Sequence, residues 1–325
     1  MKKISIMIPC WNEEENIRQI TEAAKLELIN SLPEYDFEIV IIDNKSTDRT
    51  RNIIRELCNE DKKVHAIFNM KNFGQFNSPY YGLTQCTGDC VIPLCADFQD
   101  PVELIPDMVH KWEEGHKVIC MVKTKSMESK LMYFMRDCYY MLIKKMSSVE
   151  QIKQFTGFGL YDQSFIKVLR EIKDPTPFLR GIIAEYAPDH LEIEYTQPQR
   201  RAGNTHNNFF TLFDAAMLSF TSYTNSLRIA TFIGFLISLI SFMLGLVYLI
   251  LKLVNWNNFN AGVTPVVIAV FFLGGVQLAF MGFLGEYVMS MNRRVINRPL
   301  VIVEERINFD EEEMNERIKR AISDR

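Results

Sequence analysis

Over its first 125 residues the chain alternates short, nearly continuous apolar runs with longer amphipathic stretches. The runs Ile4 to Pro9, Phe37 to Asp43, Val64 to Asn69, Cys90 to Leu94 and Val118 to Lys123 predict strands. Between them, stretches from about Glu13 to Asn30, Thr47 to Asn59, Phe76 to Cys86 and Pro101 to Glu114 predict helices. Strands apolar on both faces, alternating with helices, imply an α/β fold whose mostly parallel sheet is covered on both sides. Helix starts are marked by Asn12 with Glu15 three residues on, by Ser46, and by Asp100 with Pro101 and Glu103. Further along, residues 162 to 186 read as one helix starting at Asp162, and His190 to Thr196 as a strand alternating Leu191, Ile193 and Tyr195.

The apolar pattern then lengthens. Ile229 to Leu251 runs 23 residues without a charge, and Val263 to Leu284 gives 22 more, interrupted only by Gln277. At about 1.5 Å per residue each reaches roughly 33 Å, enough to cross a bilayer core, so two transmembrane helices in a hairpin are expected, about 229–251 and 263–288. The apolar stretch Phe209 to Phe220 abuts them and predicts an interfacial amphipathic helix within 206–227. Ser126 to Ser147 mixes Lys130, Arg136, Lys144 and Lys145 with aromatic residues; it fits a helix on the membrane surface and an ordinary packed helix equally. Arg200, Arg201 and Arg228 precede the first span, Arg293, Arg294 and Arg298 follow the second, and the loop between holds only Lys252, which puts both termini on the cytosolic side. The expected organisation is a cytosolic domain over 1–205, the interfacial helix, the two spans within 228–290, and a charged cytosolic tail over 291–325, in a multi-pass protein of the inner (cytoplasmic) membrane. The N-terminus opens directly on a strand, so no cleaved signal is expected.

Composition narrows the chemistry. Seven cysteines, an odd number mostly inside apolar runs, point to reduced thiols, and Cys86, Cys90 and Cys95 lack a zinc-site spacing. The five histidines form no ligand motif, and a net charge of −4 gives no pull toward nucleic acid.

Open parallel sheets bind ligands outside the carboxyl ends of their strands, and here four successive ends are polar. They are Pro9-Cys10-Trp11-Asn12-Glu13-Glu14, Asp43-Asn44-Lys45-Ser46-Thr47-Asp48, Lys71-Asn72-Phe73-Gly74-Gln75, and the stretch holding Asp97 and Gln99. Asp97 and Gln99 stand at i, i+2, and strand alternation would throw both oxygens to one face as ligands for a hard divalent cation, Mg²⁺ or Mn²⁺. Neither G-x-G-x-x-G nor G-x-x-x-x-G-K-[ST] occurs. A bound nucleotide would therefore be held by carboxylates and a cation instead of a glycine loop.

The series P-C-W-N-E-E-E-N, I-V-I-I-D-N-K-S-T-D-R-T, K-N-F-G-Q, A-D-F-Q-D-P-V-E-L, R-R-A-G-N-T and G-E-Y-V-M-S-M-N-R-R-V-I-N-R-P resembles family 2 glycosyltransferases of GT-A fold. Within them it is similar to the polyprenyl-phosphate group that includes dolichyl-phosphate mannose synthase and bacterial undecaprenyl-phosphate glucosyltransferases. The resemblance implies inverting transfer of a sugar from a nucleotide-diphosphate donor, a UDP-sugar by preference, to polyprenyl (undecaprenyl) phosphate at the cytosolic membrane face. It matches Pro9, Trp11 (usually Tyr), Glu13 and Asp43 to nucleotide-holding residues, with Asn72 and Gln75 beside them. Asp97 and Gln99 match the metal and diphosphate residues, Arg200 a phosphate-meeting cation, and Arg136 a further acceptor-phosphate arginine. The chain departs at Cys95, where the family's D-x-D has its first Asp, at Gly157, where an acid is frequent, and at Thr205-His206, where Ser-Lys is common. A lipid phosphate is largely dianionic at neutral pH and needs no strong base, so these losses are compatible with transfer. Rival readings are a different lipid or glycan acceptor, against which the missing base and absent Q-x-x-R-W argue, and a catalytically silent nucleotide-binding membrane scaffold. A homo-oligomer stays open, with no G-x-x-x-G in either span to say how it would form.

Overall fold

The structure is a computed structural model that describes residues 1–124, 152–201, 263–296 and 298–309, with nine scattered positions between 234 and 254. The chain divides into two compact units, one of Met1–Asp137, Glu150–Asn208 and Asn297–Arg325, the other of Cys138–Val149 and Phe209–Ile296.

In the first unit eight strands form one sheet in the order β7-β5-β6-β4-β1-β2-β3-β8. The five predicted strands are present nearly residue for residue: β1 Lys3–Cys10, β2 Asp36–Asp43, β3 Val64–Asn69, β4 Cys90–Pro93 and β5 Val118–Lys123. Strands β4, β1, β2 and β3 run parallel, joined by α1 (Ile17–Ser31), α2 (Thr50–Glu60) and α3 (Gly74–Gln85). A single 3-10 turn, Val102–Leu104, leads into α4 (Ile105–Glu113). Strand β7 (Leu191–Tyr195), as expected from its alternation, adds parallel to β5 at one edge. The core is what the apolar runs dictate: Ile4, Ile6, Ile8, Ile39, Ile41 and Ile92 of the sheet bury against Ile17, Ile20, Ala24 and Leu28 of α1.

One expected helix divides, and two strands appear that the pattern did not predict. Residues 162 to 186 are two helices, α5 (Gln163–Glu171) and α6 (Leu179–Tyr186), because Pro175 and Pro177 stand between them without amide donors. Asp162 does cap the first, accepting the Ser164 N–H at 2.8 Å. Thr156-Gly157-Phe158-Gly159-Leu160 lies inside β6 (Phe155–Asp162), antiparallel to β4 and β5. A Cβ on Gly159 would run into the Ile119 carbonyl of β5, so only glycine allows that approach. The charged run after Pro299 holds β8 (Val303–Ile307), antiparallel to β3 at the other edge; its Glu304, Glu305 and Arg306 hide it from a hydrophobic-pattern search but suit an edge strand.

The second unit contains α7 (Val263–Ile296), 34 residues long, about 51 Å at helical rise. Its stretch Phe272–Met289 is long and apolar enough to cross a membrane. The helix continues past the expected end near 288 through Arg293 and Arg294. Of the first predicted span, nine positions are described and helical. Leu236, Leu239, Ile240, Met243, Val247, Ile250, Leu253 and Val254 among them are 48–74% exposed at helical spacing. The predicted interfacial helix, the segment with Arg136 and the acidic end of the tail lie outside the described residues.

Candidate active site at the carboxyl ends of the strands

Strands β4, β1 and β2 are neighbours, and just beyond each carboxyl end one non-glycine residue has a left-handed backbone: Phe98 (φ 61°), Asn12 (φ 55°) and Lys45 (φ 65°). Such conformations cost on the order of 1–3 kcal/mol each and persist where surrounding contacts fix them. The fixing contacts run between strand ends. Asn12 donates its N–H to Ser46 Oγ at 2.9 Å and accepts the Thr47 N–H on Oδ1 at 2.8 Å. Glu13 donates its N–H to Thr50 Oγ1 at 2.9 Å. Asn12 and Ser46 therefore clasp two loops together instead of capping α1 and α2, whose N-cap positions, Asn16 and Arg49, make no side-chain cap bond.

Asp43, at the end of β2, is completely covered. Its oxygens accept the Ser46 N–H at 3.2 Å and face Arg51 Nε at 3.2 Å, while Arg51 Nη2 reaches Glu304 of β8 at 2.9 Å. Burial raises the Asp43 pKa more than Ser46 and Arg51 lower it. The nearby Cys10 thiol is pushed up by burial and then by Asp43, Glu13 and Asp48, which marks an acidic gathering at this corner. Asn44 organises the next loop. Its Nδ2 donates to Asn72 Oδ1 at 2.9 Å and to the Gly74 carbonyl at 3.2 Å, and its Oδ1 accepts from Phe73 N–H at 2.9 Å. Asn72 Oδ1 also accepts the Gly74 N–H at 2.8 Å.

The second focus is Asp97. Strand β4 ends at Pro93, so strand alternation does not place Asp97 and Gln99 as expected. A turn does: Phe98 is left-handed, and Asp97 Oδ1 accepts the Gln99 N–H two residues on at 3.1 Å. Asp97 is 6% exposed, and its Oδ2 accepts Arg200 Nε–H at 3.0 Å and lies 2.8 Å from Nη2 of the same ion pair. Arg201 donates its N–H to the Asp97 carbonyl at 3.4 Å, with its guanidinium 4.0 Å from the Phe98 ring centroid. Asp100 does not cap a helix; it is buried and accepts the Cys95 N–H at 3.0 Å, which anchors the start of the turn. Burial is the main reason its carboxyl is raised.

Two residues expected to cooperate, Asp97 and Arg200, are thus in direct contact, with Gln99 beside them. Asp43 and Glu13 lie at the ends of β2 and β1, and with strands about 4.8 Å apart the exits of β2 and β4 stand roughly 10 Å from each other. Pro9, Trp11 and Glu13 are half-buried, Asn72 and Gln75 exposed. Arg136 lies outside the described residues. Among the described residues no three His, Cys, Asp or Glu side chains gather as a metal site, and the expected ligands Asp97 and Gln99 stand together in one turn. Sequence reasoning missed three positioning residues, Asn44, Arg51 and Glu304. Asn44 stood in the polar run after β2, but Glu304 lies more than 250 positions from Arg51 and left no local signal.

Against known proteins, residues 5–172 match the family described as glycosyl transferase family 2. A SfII prophage-derived bactoprenol glucosyl transferase of Shigella flexneri is 31% identical over 303 residues, 93% of this chain and 97% of that one. A prophage bactoprenol glucosyl transferase homolog of Escherichia coli (strain K12) is 30% identical, covering 93% and 98%. Among solved structures, a glucosyl-3-phosphoglycerate synthase from Mycobacterium tuberculosis is 14% identical, covering 68% of this chain and 78% of that one at a TM-score of 0.49, a likeness too slight to carry an argument. The mostly parallel sheet with polar strand ends is the GT-A-like arrangement that the motif series implied. With the family match spanning more than half its length, the chain belongs to glycosyl transferase family 2 and is a glycosyltransferase.

Proposed function

We propose that the protein transfers a sugar, with inversion, from a nucleotide-diphosphate donor, a UDP-sugar by preference, to polyprenyl phosphate at the cytosolic face of the membrane. The observation that carries this reading is the pairing of Asp97 with Arg200 at the sheet's exit: a carboxylate suited to a cation and a guanidinium suited to phosphate meet at one point. The near full-length similarity to bactoprenol glucosyl transferases supports the acceptor. The apolar helix α7, with the exposed apolar positions at 236–254, supports a two-helix membrane anchor.

The oxygen donors of Asp97 and Gln99 suit Mg²⁺ or Mn²⁺, which keeps waters and shares itself with phosphates; a single carboxylate leaves the rest of the coordination sphere to the diphosphate and water. Such an ion would supply charge neutralisation for the departing nucleotide. The other steps belong to the chain. The acidic corner of Asp43 and Glu13, with the loop set by Asn44, holds the nucleoside at the exits of β1 and β2. Arg200 neutralises phosphate oxygens, and Arg136 is assigned to the acceptor phosphate. That phosphate has a second pKa near 6, so it attacks the anomeric carbon without a base, and positioning supplies the rate. The departures at Cys95 and Gly157 therefore remove no indispensable proton carrier.

A donor panel tests this with the full-length protein in vesicles, Mn²⁺ and a short polyprenyl phosphate. Nucleotide release and a mild-acid-labile lipid-linked sugar are expected with a UDP-hexose and absent without the lipid phosphate. Intact nucleotide binding with no turnover across the panel would overturn it in favour of a silent scaffold.

A further inference from the structure

An ionised carboxylate has about four acceptor positions, and among the described residues Arg200 and the Gln99 amide take up positions on both oxygens of Asp97. Arg200 donates Nε–H to Oδ2 at 3.0 Å with Nη2 2.8 Å from the same oxygen in an ion pair, and the Gln99 N–H takes one position on Oδ1 at 3.1 Å. The Asp97 side chain is 8% exposed and the Arg200 side chain 26%, so the guanidinium closes the carboxylate from the outside. The clasp is reinforced next door, where the Arg201 N–H reaches the Asp97 carbonyl and its guanidinium lies on the Phe98 ring. A Mg²⁺ ligand oxygen sits about 2.0–2.1 Å from its ion, so a divalent ion on Oδ2 would enter the space these two guanidinium nitrogens fill, and like charge would drive the guanidinium away. A carboxylate this well covered also needs a positive partner whenever no ion is bound.

We propose, resting on the donor reading above, that Arg200 is a place-holding cation on Asp97, displaced when the divalent ion arrives with the donor diphosphate and thereby released to meet the acceptor phosphate. The pair then orders the reaction. Before donor loads, Asp97 is neutralised and Arg200 is engaged, so the acceptor phosphate finds one guanidinium fewer. After donor loads, the same guanidinium is presented to phosphate. One residue so inhibits cation binding in the empty enzyme and assists transfer in the loaded one.

Those two roles have opposite signs, which makes the proposal easy to break. Mn²⁺ binding to the full-length protein in nanodiscs, read by electron paramagnetic resonance without nucleotide, should be about tenfold tighter in R200A than in wild type, although R200A transfers less sugar. R200Q, which keeps a polar side chain at the position should R200A fold poorly, should show the same tightening. Adding D97N to either variant should abolish it. R201A, which leaves both Arg200 contacts in place, should bind Mn²⁺ within twofold of wild type. Equal or weaker Mn²⁺ binding in R200A and R200Q would overturn the proposal while leaving the donor reading intact. A wild type that binds no Mn²⁺ even with UDP present would overturn Asp97 and Gln99 as cation ligands and this inference with them.

Discussion

Glu38 and Asp97 are both almost wholly covered and each carries a cationic partner, yet they are built in opposite ways. Glu38, 3% exposed near the amino ends of the strands, accepts from Lys3 Nζ at 2.6 Å, Ser5 Oγ at 2.6 Å, Thr87 N–H at 2.6 Å and Thr87 Oγ1 at 2.8 Å. Its partners come from β1 and the lead-in to β4, and Ser5 is its register partner across the β1–β2 ladder. Asp97, at the carboxyl ends, sits on a strained turn, and its cationic contact among the described residues is an arginine 103 positions away on a loop. A carboxylate saturated by its own sheet is scaffold, because no acceptor position is left for a ligand. One held by a single long side chain can exchange its partner, which is what the proposed cation and diphosphate would call for.

The largest effect should come from removing the exchangeable partner. Arg200→Ala is expected to lower sugar transfer about 10³-fold, as loss of a charge-stabilising donor typically does, and to lose only about 1–2 kcal/mol of urea stability, less once a divalent ion replaces its charge on Asp97. Glu38→Gln should do the reverse, costing about 3 kcal/mol of stability in urea denaturation by leaving Lys3 without its buried partner, while nucleotide affinity stays at the wild-type value.

The same pair separates with pH. Burial alone would raise the Glu38 pKa, but Lys3, Ser5 and the Thr87 N–H outweigh it and hold the carboxyl below its ordinary value. A lowered folded pKa means stability present above the unfolded value of about 4.3 and lost as pH falls through the folded one. Wild type should therefore lose stability below about pH 4, and Glu38→Gln should show a flatter profile there. Smaller still, Asn44→Ala breaks bonds worth about 1 kcal/mol each to the 72–74 loop and should weaken nucleotide binding about tenfold by calorimetry, with no change in acceptor KM. The smallest effect belongs to Gly157→Asp. At φ +106° an L residue is strained, although its Cβ would meet only Leu179 Cδ2 at 3.8 Å, so about 1–2 kcal/mol of stability should be lost with no gain in kcat.

How much of this was legible in the chain follows from range. The Ile- and Val-rich strands announced themselves because burial on both faces leaves a continuous apolar signature, and the polar residues at their ends do gather at one end of the sheet. Strand β6 hid behind glycines required by its approach to β5, and β8 behind charges suited to an edge. Asn12 and Ser46 carry helix-start chemistry, but the nearest unsatisfied amides lie on each other's loops, and tertiary contact took them. Asp97 and Gln99 were expected together on a strand and are together in a turn, since the left-handed Phe98 has no sequence mark. Contacts such as Arg200 to Asp97 follow only from the folded path of the chain.

The most direct test sets Asp97→Asn beside Glu38→Gln, measuring transfer of labelled sugar from a UDP-hexose to polyprenyl phosphate together with urea stability for each. The account expects Asp97→Asn to stay within about 1 kcal/mol of wild-type stability and lose roughly 10³-fold in transfer, with Glu38→Gln less stable but active wherever it is folded. An Asp97→Asn protein that transfers sugar within a few fold of wild type would contradict it.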